Sequence, residues 1–133
     1  MIKSIYLSGA CKCLEDCGND WRKAIKNEIE RTTFYKCFNP NEYYNYKDAK
    51  PKTEKECMQY FLHRLRDSSL IIVNLDNSDK SVGTGMELIL ANELHKPIIG
   101  FNDNDTTYPW SKELCDVVLL DEDEVVDYIK NYY

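Results

Sequence analysis

The sequence predicts a three-layer α/β fold, with helices on both faces of a mostly parallel five-stranded sheet of flavodoxin-like or Rossmann-like type. Three observations carry this reading. Strand-like apolar runs alternate with helix-period segments through ten elements, without exception. The run Leu70-Ile71-Ile72-Val73-Asn74-Leu75 is apolar enough to be buried on both faces, as parallel strands are. No internal repeat or long linker interrupts the series, so residues 1–133 read as a single domain.

Each element has its own signal. Ile2 to Leu7 is a strand ended by Ser8-Gly9-Ala10, and Cys11 to Asn19 is a loop. Asn19 or Asp20 can cap a helix from Trp21 to about Arg31, with Trp21, Ala24, Ile25, Glu28 and Ile29 on one face. Phe34 to Phe38 is a short strand stopped by Asn39-Pro40. Asn41 to Pro51 is polar and tyrosine-rich, a loop that reads equally as a lid or as plain surface. Thr53 caps the next helix, with Glu56 in capping-box register and Met58, Phe61, Leu62 and Leu65 as its apolar stripe. After the central strand and a polar loop, Gly83-Thr84-Gly85 leads into a helix through Met86, Leu90, Ala91 and Leu94. Pro97 to Phe101 is a strand, Asn102 to Trp110 a polar loop, Val117 to Leu120 the last strand, and Asp121 to about Asn131 the last helix. The acids at residues 121–124 suit the positive end of that helix's dipole and need no functional role.

Composition narrows the partners. Asp plus Glu (23) outnumbers Lys plus Arg (17), a net charge of -6, so there is no broad basic field to gather a nucleic-acid backbone. A small nucleotide needs only a local nest of donors. No apolar stretch is long enough to span a membrane, and the apolar run at the N-terminus is too short for a signal peptide. A cytoplasmic setting follows, in which the six cysteines read as reduced thiols. Cys11, Cys13 and Cys17 lack zinc-knuckle spacing, and His63 and His95 fall on helices away from them, so neither metal nor cofactor is expected.

Right-handed crossovers place ligands at the carboxyl ends of parallel strands, here the Ser8-Gly9 turn and the loop from Asp76 to Gly85. Ser81-Val82-Gly83-Thr84-Gly85-Met86-Glu87-Leu88 brings two glycines and two hydroxyls to a helix start, where free N–H groups can hold a phosphate or a sugar hydroxyl. It is neither the dinucleotide fingerprint, which follows the first strand, nor a Walker loop. Glu87, about one turn into the helix, has two readings: an exposed acid stabilised by the dipole, or a carboxylate aimed into the cleft. In the second, it can attack a sugar's anomeric carbon, with the helix N–H groups keeping it ionised.

Three segments resemble the nucleoside 2-deoxyribosyltransferases and the related 2'-deoxynucleoside 5'-phosphate N-glycosidases: Ile5-Tyr6-Leu7-Ser8-Gly9, Ser69-Leu70-Ile71-Ile72-Val73, and Ser81 to Leu88 followed by Ala91 and Lys96-Pro97-Ile98-Ile99. The resemblance implies Glu87 as nucleophile and Tyr6 beside it and the sugar. It implies Ser81 at the 5'-phosphate, and Ser8, Gly9, Gly83, Thr84 and Gly85 as further substrate contacts. It also implies a homo-oligomer, a dimer or larger, in which Tyr128, Tyr132 and Tyr133 of one chain can reach a neighbour's site. The expected partner is a small-molecule nucleoside or nucleotide.

The chain departs from the family pattern in two places. Eight residues before Ser69, where the family carries an aspartate that assists the leaving base, stands Phe61, on an apolar stripe that reads as core. Asp76, Asp79 and Asp67 are the candidates to replace it, and a neighbouring subunit is another source of the acid. Two residues after Glu87, the family's glycine is Ile89, bulkier against the sheet or base pocket. Trp110 can line that pocket or cover a sheet edge. Three functions stay open: transfer or hydrolysis at the N-glycosidic bond of a 2'-deoxynucleoside or its 5'-monophosphate, nucleotide binding without turnover, and a glycohydrolase acting on an NAD-type dinucleotide.

Overall fold

A computed structural model describes residues 3–43 and 53–133. Its elements are β1 (Ser4–Gly9), α1 (Asn19–Thr32), β2 (Lys36–Phe38), α2 (Glu54–Asp67), β3 (Leu70–Asn74), α3 (Val82–Glu93), β4 (Ile98–Phe101), α4 (Pro109–Glu113), β5 (Val117–Leu119) and α5 (Glu122–Tyr132), with 3-10 turns at Pro40–Glu42 and Ser78–Lys80. The strands are all parallel, in the order β2-β1-β3-β4-β5. This is the flavodoxin-like arrangement the sequence predicts.

Strand alternation builds two cores. Ile5, Leu7, Leu70, Ile72, Ile99 and Phe101 face α1 and α5, where they meet Trp21, Ile25, Ile29, Val125 and Ile129. Tyr6, Phe38, Ile71, Val73 and Ile98 face the other way, onto Leu65 of α2 and Leu88 and Ala91 of α3. Both faces are apolar because both are covered. The strand order reverses between β1 and β3, so a crevice opens beyond the carboxyl ends of these strands, where Gly9 pairs with Asn74. Among the described residues, no helix is long and apolar enough to cross a membrane.

Several local expectations are corrected. β1 continues through Ser8 and Gly9 instead of ending at Leu7. The cap of α1 is Gly18 in a left-handed conformation, not Asn19 or Asp20, and the nearby Asp16 carboxylate accepts from the N–H groups of Gly18 (2.9 Å) and Asp20 (3.2 Å). Ala24 and Glu28 are exposed, whereas Arg22 is buried beside Trp21. Phe34 lies outside β2 and is 100% exposed, since the Thr33 hydroxyl takes the Tyr35 N–H and the chain turns before pairing starts. The segment from Asn102 to Trp110 runs into α4, begun by Pro109 at a position where its missing N–H costs nothing. His95 follows α3 with φ 57 instead of lying on it. Most of the tyrosine-rich segment lies outside the described residues. Thr53 caps α2 by accepting from the Glu56 N–H (3.1 Å), as expected.

Candidate active site

α3 sets the geometry. Ser81 is its cap: the hydroxyl accepts from the Thr84 N–H (3.3 Å) and lies 2.7 Å from the Thr84 hydroxyl. Gly83 and Gly85 are therefore inside the first turn, not in a loop before it. Thr84, Glu87, Leu88 and Ala91 are spaced three and four apart and share one face; Thr84, Leu88 and Ala91 are buried, and Glu87 is partly buried. That face turns toward the sheet, so Glu87 is not a solvated acid. Across from it, Tyr6 and Ser8 point to the same side of β1. The Tyr6 hydroxyl donates to Glu87 Oε2 by a short hydrogen bond, and the Ser8 hydroxyl donates to Oε1 (2.8 Å). The two donors hold the carboxylate from both oxygens.

The carboxylate they hold lines a cavity of about 420 Å³. Gly9, Cys11, Lys12 and Arg22 line it from β1, α1 and the loop between them; Glu54, Cys57, Met58, Phe61 and Leu62 from α2; and Lys80, Ser81, Val82, Gly83, Thr84, Met86 and Glu87 from the start of α3. The volume suits a small organic ligand. The lining carries Lys12, Arg22 and Lys80 against Glu54 and Glu87, a locally cationic surface on a chain of net charge -6. Two glycines in it have different causes. A Cβ on Gly9 would come within 2.9 Å of the Trp21 ring, so packing requires glycine there. A Cβ on Gly83 would meet nothing within 4 Å, so no protein contact demands glycine, and the bare backbone is left open to the cavity.

Arg22 is the unexpected member. It is 1% exposed, stacks on Trp21 at 4.7 Å, and donates to the carbonyls of Leu7 (3.3 Å), Gly9 (2.9 Å), Cys17 and Gly18 (both 3.2 Å). Its signal in the sequence is its place on the stripe with Ile25 and Ile29, three and seven residues on. Among the described residues, no carboxylate lies in ion-pair contact with it, so its charge acts at a distance on Glu87. Burial pushes the Glu87 carboxyl above its ordinary value, while Tyr6, Ser8 and the Arg22 charge oppose that shift. This revises the expectation that helix N–H groups keep Glu87 ionised; the opposing groups lie on β1 and α1. Burial also raises the Cys11 thiol above its ordinary value; the Arg22 charge opposes that shift and the Glu87 charge adds to it.

The remaining expected residues separate. Gly85 does not line the cavity. The Asp76 carboxylate accepts from Asn104 Nδ2 (2.9 Å) and the Thr106 hydroxyl (3.0 Å), and Asp79 is exposed; neither lines the cavity. Asp67 is exposed near the far end of α2, 3.5 Å from His63. Phe61, read as core, is only partly buried: it packs against Phe38 and is also cavity wall. Ile89 is 51% exposed, facing neither sheet nor cavity. Trp110 is 71% exposed and packs on Tyr108, away from the cavity. All six cysteines are free, and no group of three or more His, Cys, Asp or Glu among the described residues is placed to hold a metal. Glu54, Cys57, Met58, Met86, Lys12 and Lys80 were not singled out as site residues from the sequence. The spacing 54, 57, 58, 61, 62 was the available signal.

A family model described as nucleoside 2-deoxyribosyltransferase matches residues 5–128. No curated protein sequence matches the chain. A conserved protein from Enterococcus faecalis V583 has a similar structure over 100% of both chains, with TM-score 0.81 and 14% identity. A 2-deoxyribosyltransferase from the psychrotolerant bacterium Bacillus psychrosaccharolyticus is similar over 98% of this chain and 92% of its own, with TM-score 0.72 and 16% identity. A CMP N-glycosidase from Clostridium botulinum is similar over 98% of this chain and 100% of its own, with TM-score 0.66 and 14% identity. At these identities the likeness is one of fold.

Proposed function

The chain belongs to the nucleoside 2-deoxyribosyltransferase family, and on that premise we propose that it cleaves or transfers the N-glycosidic bond of a 2'-deoxynucleoside 5'-monophosphate, with Glu87 as nucleophile. One observation carries the reading: the Glu87 carboxylate enters the cavity with both oxygens held by hydroxyls of β1. A carboxylate fixed in this way has its attack direction set before substrate arrives. A Glu87 oxygen bonds to the anomeric carbon, the C–N bond breaks, and its electron pair leaves with the base. Water or a second base then displaces Glu87 from the glycosyl ester.

The phosphate end follows from charge. The N–H groups of Val82 and Gly83 precede the first intrahelical bonds of α3, and a helix start favours an anion. Lys12, Lys80 and the Ser81 hydroxyl line the cavity with them, and Gly83 leaves the backbone uncovered. These groups favour a monophosphate over an uncharged nucleoside. A homo-oligomer belongs to the same proposal: Tyr128 packs at a tilt against Tyr132 (4.9 Å) and Tyr133 (6.1 Å) on the α5 side, away from their own chain's cavity.

The test is base release from a panel of deoxynucleosides and their 5'-monophosphates. We expect turnover of monophosphates and a loss of at least about 10³-fold in Glu87→Gln, the scale of removing a group that acts in the covalent step. Unchanged turnover in the variant would remove Glu87 from the role. Tight binding in calorimetry with no base released would favour a binding module, the reading to which Phe61 in place of an acid points.

A further inference from the structure

The cavity holds a second carboxylate. Among the described lining residues only Glu54 and Glu87 are acids. Glu54 is the first residue of α2, and Cys57, Met58, Phe61 and Leu62 follow it at offsets of three, four, seven and eight, one face of an α-helix. α2 leads back to the amino end of β3, so its first turn lies at the carboxyl end of the sheet, the end where β1 finishes at Gly9 and Glu87 is held. Phe61 stands on the same face about 10 Å further along the helix axis. The α2 wall of the cavity is therefore phenyl, thiol, thioether and isobutyl along its length, with one carboxyl at its head.

We propose that Glu54 is the acid–base partner of Glu87, giving a proton to the departing base and taking one from the incoming water. The proposal rests on Glu87 acting as nucleophile. In the first step a Glu87 oxygen bonds to the anomeric carbon, the C–N bond breaks, and the Glu54 carboxyl protonates the base. In the second, a water oxygen bonds to the anomeric carbon, the ester bond to Glu87 breaks, and the water's proton passes to the Glu54 carboxylate. Both carboxyl groups return to their starting states.

Two substrates separate this role from a structural one: a deoxynucleoside 5'-monophosphate with an ordinary base, and 4-nitrophenyl 2-deoxyribose 5-phosphate, whose leaving group departs unprotonated. In Glu54→Gln, kcat/KM on the nucleotide is expected to fall by about 10²-fold or more. On the nitrophenyl compound it should stay within about fivefold. A burst of nitrophenolate should accompany a protein mass raised by one deoxyribosyl phosphate, because the ester on Glu87 forms but hydrolyses slowly. Equal losses on both substrates, or no loss on either, would overturn the assignment. If wild type cleaves both and Glu87→Gln neither, an indifferent Glu54→Gln sinks only this inference. If wild type cleaves neither, the function proposed above falls with it.

Discussion

Two walls of one cavity are built on opposite physical terms. Where β1 meets α3, polar groups are buried and paired: Tyr6 and Ser8 clasp Glu87, and Arg22 ties four carbonyls together behind them. The α2 wall is apolar and incompletely packed, with Met58 41% exposed and Phe61 and Leu62 half covered. A hydrogen-bonded network in a low-dielectric site fixes angles and strengthens charge interactions. Apolar surface fixes neither and discriminates by shape. The contrast teaches that this chain preorganises the end that would meet the sugar and phosphate and leaves the end that would meet the base adaptable.

The comparison breaks most visibly at Arg22. Arg22→Met keeps volume but strips a shared donor from four carbonyls. Net losses for hydrogen bonds to a charged group imply about 3 kcal/mol or more, so Tm should fall by roughly 10 °C. A thermal melt within 2 °C of wild type would show that the polar wall does not depend on this clamp.

A smaller effect sharpens the role of Tyr6. Burial raises the Glu87 carboxyl, so the acid limb of kcat/KM should lie above the ordinary glutamate value of 4.5, with activity lost as pH falls through it. The Tyr6 hydroxyl stabilises the charged form and lowers that limb. Tyr6→Phe should therefore move it to higher pH, with activity lost below the limb and little changed above it. A limb that stays put would mean that Tyr6 serves packing alone.

The smallest effect belongs on the apolar wall. Met58→Leu exchanges one apolar side chain for another of similar volume, so kcat should stay within about threefold, with stability changed by less than about 1.5 kcal/mol. The KM values for different bases should shift unequally. Identical KM changes across purine and pyrimidine substrates would show that α2 does not read the base.

Much of the fold was legible because it is written in local patterns. The runs at 70–75 and 97–101 and the Thr53 cap are short-range signals that packing reinforced. The site was legible in part. Glu87, Tyr6, Ser8, Ser81, Gly83 and Thr84 come together at or around one cavity, whereas Asp76 and Asp79 are drawn to other partners or to solvent. Asp76 and Asp79 were attractive because they sit beside the glycine-rich segment in the chain, and nearness in sequence does not fix direction in space.

By itself, then, the sequence determined the layers, the strand direction and the presence of a carboxylate near a glycine-rich helix start, because periodicity and capping act within a few residues. The tertiary structure decided what that carboxylate meets. Tyr6 and Glu87 are 81 residues apart, Arg22 is buried although charged, and Glu54 enters the cavity at the head of a stripe that reads as core. Each of these depends on how elements distant in sequence pack across the reversal between β1 and β3. No local propensity encodes a contact whose energy exists only once the sheet has formed.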